Sequence, residues 1–100
     1  MQEKLTESQQ KIIEICDGIK DVLLYKNQKY GDSALKPTIN CFYKGNATNS
    51  IAIRLDDKLN RIFNNKSGFR INDVCDLTGY LILLLISIGV NKKDLEKLKD

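Results

Sequence analysis

The chain reads as a small all-α bundle, three main helices followed by a short C-terminal one. Three observations predict this. Apolar residues recur at three- and four-residue steps in two long stretches, the pattern of a helix with one buried face. A third stretch is apolar nearly all round, as expected of a central helix or one buried between subunits. Turn-forming residues are concentrated in one region, 31–49, rather than at the short regular spacing of a β protein. With 100 residues, 42% of them hydrophobic and 29% charged, the composition is that of an ordinary globular domain. We take residues 1–100 as a single domain, large enough for one core and small enough to gain from oligomerisation.

The first helix is expected to begin at Thr6, which forms a capping box with Gln9. Ile12, Ile15, Cys16, Ile19, Val22 and Leu23 then mark its apolar face. It continues to about Lys29 and stops at Tyr30-Gly31, since glycine is a natural C-terminal residue. Residues 31–49 hold Gly31, Asp32, Ser33, Pro37, Asn40, Gly45, Asn46 and Asn49. A connection this long in a compact domain is either a surface crossover or a ligand-contacting loop. Thr38 to Tyr43 reads as a brief extended segment within it.

Ser50 is the expected cap of the second helix, which runs to about Asn64. Ile51, Ala52, Leu55, Leu59, Ile62 and Phe63 cluster on one side of it at about 100° per residue. Arg54, Asp57, Lys58 and Arg61 fall on the adjacent flank. The third helix is expected to start near Arg70 or at an Asn72 cap. It carries Asp73, Asp76 and Tyr80 at i, i+3 and i+7, on one face, and ends at Gly89. Asn91 with Asp94 starts the final helix.

Several functions have nothing to rest on. A net charge of +3 permits an anionic small molecule but falls below that of a committed nucleic-acid binder, so no direct DNA binding is expected. Cys16, Cys41 and Cys75 form no CxxC, and there is no histidine, so the pattern of a zinc site is lacking. The odd cysteine set fits a reducing, intracellular setting. The N-terminus has no apolar signal core, and Leu81–Ile88 falls short of the ~18 residues a membrane span needs. No P-loop or dinucleotide fingerprint occurs. Nucleophilic and histidine-based catalysis have no candidate.

Three constellations remain, each with an ordinary alternative. Asp73 and Asp76 can point into one site and hold a hard cation such as Mg²⁺ with substrate phosphates; equally, they can serve the helix dipole. Arg54, Lys58 and Arg61 suit phosphate oxygens, with Asp57 fixing the arginines; equally, they form a solvated ion-pair stripe. Tyr30 and the turn after it could stack on a base, or Tyr30 could simply pack at the helix end.

The stretches KNQKYGDSAL at 26–35, SIAIRLDDKLNRI at 50–62 and NDVCDLTGYLILL at 72–84 together resemble a phage-associated family, nucleotide modification associated domain 1. That family shows a lysine-asparagine and tyrosine-glycine stretch, an R-x-x-D-K-x-x-R helix and a D-x-x-D-L-x-x-Y helix, in this order. The resemblance implies kinship with MazG-like all-α nucleotide pyrophosphohydrolases, in which acidic pairs hold Mg²⁺ against a nucleotide. By position, Asp73 and Asp76 match the second acidic motif. The first departs, because no E-x-x-E pair stands on the second helix, and Glu14 with Asp17 is a poor substitute.

The expectation is therefore a protein that binds, and by binding sequesters, a nucleotide or a cyclic or modified nucleotide signal. Arg54, Lys58 and Arg61 would hold phosphate, with Asp57 beside them and Tyr30 or Tyr80 at the base. The resemblance places it in the cytoplasm of an infected or lysogenic bacterium, as an anti-defence protein. The alternatives are a Mg²⁺-dependent pyrophosphohydrolase and a helical bundle with a purely structural or protein-partner role. The apolar run at Leu81–Ile88 predicts a homo-oligomer.

Overall fold

The computed structural model describes residues 4–32, 34–36, 45–66 and 68–99. Among them the chain is all helical, with α1 (Glu7–Tyr30), α2 (Ala47–Asn64), α3 (Ile71–Ser87) and α4 (Lys92–Glu96), the last running into a 3-10 turn at Lys97–Lys99. It divides into two compact units, Met1–Gly31 and Asp32–Asp100.

The first unit is α1. Its start follows from the residues: Thr6 Oγ1 accepts from the Gln9 amide at 3.1 Å, and the Gln9 side chain accepts from the Thr6 amide at 2.9 Å. Its end follows from Gly31, whose φ of 72° is one that side chains rarely adopt. The Gly31 amide donates to the Asn27 carbonyl at 2.7 Å. No α1 residue is buried. Of the predicted apolar face, Ile12, Ile15, Cys16 and Val22 are exposed, while Ile19 and Leu23 are half-buried.

The second unit is organised by α2 packed on α3. Its start corrects the sequence reading. Asn46, not Ser50, caps α2, its side chain accepting from the Asn49 amide at 2.8 Å. Ser50 lies inside the helix, and its own amide donates to the Asn46 carbonyl. Among the described residues, Ile51 is fully buried, and Leu55, one turn on, is nearly so. On the predicted apolar side, Leu59 and Phe63 are exposed instead.

α3 begins at Ile71 with Arg70 as its cap, the first of the two expected starts; the alternative of an Asn72 cap is not found, because Asn72 is the second helical residue. Gly79 is the buried residue of α3. Leu81, Leu85 and Ile86 are exposed, and so is Ile88 just beyond, so the apolar run is not enclosed as read. The capping box predicted at Asn91 and Asp94 is present. Among the described residues no single helix is long and apolar enough to cross a membrane. The extended segment expected at Thr38–Tyr43, with Ser33 and Cys41, lies outside the described residues.

Candidate functional site

Three side-chain links join α2 to α3, and residue number rises along one helix as it falls along the other. Thr48 Oγ1 donates to Ser87 Oγ at 2.9 Å, Arg54 Nη1 donates to Tyr80 Oη at 3.1 Å, and Lys58 Nζ donates to Asp76 Oδ2 at 3.2 Å. The helices are therefore antiparallel neighbours. The flank read from the sequence as Arg54, Lys58 and Arg61 runs along the seam towards the start of α3. This placement is a consequence of helical spacing. Residues 54, 58 and 61 lie within a narrow arc beside Ile51 and Leu55, and burying those two brings the flank against Asp76 and Tyr80.

The links differ in setting. The side chains of Lys58 and Asp76 are 17% and 27% exposed, so their ion pair is partly screened from water. By contrast, Lys11–Glu14, Lys20–Asp17 and Lys99–Glu96 have side chains that are more than half exposed. These are i, i+3 surface pairs of little energetic consequence. The Arg54 guanidinium also stands 5.8 Å from the Tyr80 ring centre, close enough for a cation–π attraction.

Beyond the Lys58–Asp76 pair the seam opens into a cleft of about 520 Å³, lined by Arg61, Arg70, Ile71, Asn72, Asp73 and Asp76. Two arginines and two aspartates thus line a cleft at the N-terminal two turns of α3. The cap residue Arg70 makes no side-chain hydrogen bond to that turn, which leaves the positive end of the helix dipole facing the cleft.

The structure brings together Arg54, Lys58, Arg61, Asp73, Asp76 and Tyr80 along one seam. It does not bring Asp57 in: that carboxylate is exposed on α2 and takes no part in these links. Tyr30 belongs to the first unit. Its ring is exposed, with the Lys29 ammonium 5.4 Å from its centre. Arg70 is the residue that spacing did not single out. Its signal was its place immediately before the helix that carries D-x-x-D, where a cap residue's side chain stays beside the first turn.

Mg²⁺ is the cofactor that the resemblance implies, and Asp73 and Asp76 are the carboxylates that would hold it. Asp76 is already bonded to an ammonium, and among the described residues no group of three or more acidic or cysteine side chains is placed to hold a metal ion. A cleft of this kind, with guanidinium forks, a helix start and carboxylates side by side, can hold a phosphate oxygen at one edge and an N–H donor at the other. Comparison of the chain with protein-family models, with curated proteins and with solved structures finds no match.

Proposed function

We propose that this protein binds a nucleotide, or a signalling molecule derived from one, in the cleft between α2 and α3 and holds it without cutting it. The observation that carries the reading is the convergence of Lys58, Arg61 and Arg70 on the start of α3. Phosphate oxygens would be met there by positive side chains, of which Lys58 is held by Asp76, and by the amide-rich end of a helix. The seam continues to Tyr80, whose ring supplies an apolar surface for a base about 10 Å from Arg61, the span of seven helical residues between Arg54 and Arg61. Asp73 and Asp76 supply acceptors for base or sugar donors. The R-x-x-D-K-x-x-R and D-x-x-D-L-x-x-Y patterns that resemble the phage-type nucleotide domain contribute most of these side chains. In such a setting the protein would act in the cytoplasm of an infected bacterium by withdrawing a signal. We propose further that it does so as a homo-oligomer.

The test is incubation of the purified protein with nucleoside mono-, di- and triphosphates and with cyclic dinucleotides. Melting temperature and the chemical state of the ligand are followed together. Binding at a hundredfold excess over Kd adds about 2.7 kcal/mol of stability, which for a domain of this size is a rise of more than ten degrees at about 4–8 °C per kcal/mol. The bound ligand should be released intact after heat denaturation. Release of pyrophosphate, lost in Asp73→Asn or Asp76→Asn, would replace this reading with the hydrolase. No rise with any of these ligands would sink both.

A further inference from the structure

We propose that Lys58 takes the place of a metal ion in this site, so that the cleft accepts its phosphate-bearing ligand without a divalent cation. The inference rests on the nucleotide reading for its ligand, but its chemistry starts from the Lys58–Asp76 pair. A carboxylate pair at i, i+3 on one helix is the arrangement by which Mg²⁺ is usually offered oxygens, alongside those of a phosphate. Here the Lys58 ammonium, 3.2 Å from Asp76 Oδ2, already sits on one of those two carboxylates. It is anchored from the facing helix and only 17% exposed, unlike a surface lysine that solvent would draw away.

The surrounding charge points the same way. The lining of the cleft, Arg61 and Arg70 with Asp73 and Asp76, is balanced in formal charge, and Lys58 on Asp76 adds one positive charge at its edge. That added charge favours phosphate over a free divalent ion, and the partial burial of the Lys58–Asp76 pair lessens its screening by water. A tethered ammonium performs the neutralising part of a metal's work, because it balances phosphate charge. It does not acidify a bound water as a metal does. The substitution therefore also explains why a site of this shape would hold a phosphoanhydride and leave it whole.

The experiment uses the full chain and Mn²⁺ as the probe, read by the loss of the free-ion paramagnetic resonance signal in the absence of nucleotide. The wild-type protein is expected to leave Mn²⁺ free. Lys58→Ala and Lys58→Gln, each checked for helical content by circular dichroism, are expected to take up about one Mn²⁺ per chain, at least tenfold more tightly than wild type. Adding Asp76→Asn to either should abolish the gain, and Lys58→Arg should behave as wild type. Uptake of Mn²⁺ by the wild-type protein that Asp76→Asn removes overturns the proposal. So does a folded Lys58→Ala or Lys58→Gln with no gain.

A second arm measures ATP binding by calorimetry in EDTA and in Mg²⁺. Equal affinity is expected, and binding that needs Mg²⁺ contradicts the proposal. Complete failure of ATP and the other nucleotides to bind defeats the proposed function instead, while the Mn²⁺ result still decides the role of Lys58.

Discussion

Among the described residues of the second unit, Ile51 is the one side chain withdrawn completely from water, with Leu55 one turn on. Ile51→Ala is expected to cost about 2–5 kcal/mol, a large share of what a domain of this size has to lose. Because the same burial turns Arg54 and Lys58 towards α3, the substitution should weaken ligand binding along with the melting temperature. Loss of stability with unaltered binding, measured on the folded fraction, would show that the seam is positioned by something else. The residue-level content of the site was legible to the extent that helical spacing governs it. Lys58 and Asp76 were placed on facing elements by the sequence, and they meet. Asp57 was placed on the same flank, yet it is exposed and takes no part in these links, since helical spacing puts it at that flank's outer edge. Spacing gives a face to about one residue's width, and the packing angle decides which edge of that face is used.

At the scale of the elements, caps were legible where the side chain and its amide partner are three residues apart in sequence. Thr6 with Gln9 and Asn91 with Asp94 are such cases. The start of α2 was misread because both Asn46 and Ser50 are good cap residues. Spacing does not show that Ala47, Thr48 and Asn49 continue the helix backwards. Placing Thr48 in α2 has a consequence, since its hydroxyl makes the link to Ser87 at the far end of the seam.

The start of α3 was legible only as two alternatives, near Arg70 or at an Asn72 cap, and the first is the one found. It has a cap residue with no side chain suited to capping, and Arg70 occupies the position that a serine or aspartate would fill to better effect. A poor cap facing a cleft suggests that stability has been exchanged for charge. Arg70→Ser is therefore expected to raise stability by about 1 kcal/mol and to weaken phosphate binding roughly tenfold or more. The second figure corresponds to the ~1.5–3 kcal/mol of a hydrogen bond to a charged group. Thermal melting and calorimetry on the same preparation check both signs. If affinity holds while stability rises, the guanidinium is only a bystander at the helix start.

For the molecule as a whole, what the sequence showed of the helices exceeds what it showed of their partners. Period and capping identify an apolar face but carry no information about what covers it. On α3, Leu81, Leu85 and Ile86 are exposed, and Ile88 follows them. On α1, Ile12, Ile15 and Val22 are exposed as well. Scattered apolar side chains at a surface are ordinary, but contiguous ones along a helix mark an interaction face. The α3 run lies beyond Tyr80, away from the cleft at the start of that helix, so a second copy of the chain could cover it without closing the site. A stable interface buries at least about 1,000 Å², which several large side chains from each of two copies can supply together. Light scattering at micromolar concentration should accordingly give a mass of at least a dimer. Leu81→Lys should reduce that mass to the monomer while leaving the helical signal intact, since a lysine at a half-exposed position costs a lone chain little. Ligand affinity should survive in that variant, because Arg61, Arg70 and the Lys58–Asp76 pair belong to one chain. A monomeric mass for the wild type refutes the assembly. A Leu81→Lys monomer that has lost its ligand would instead mean that the site is completed across the interface.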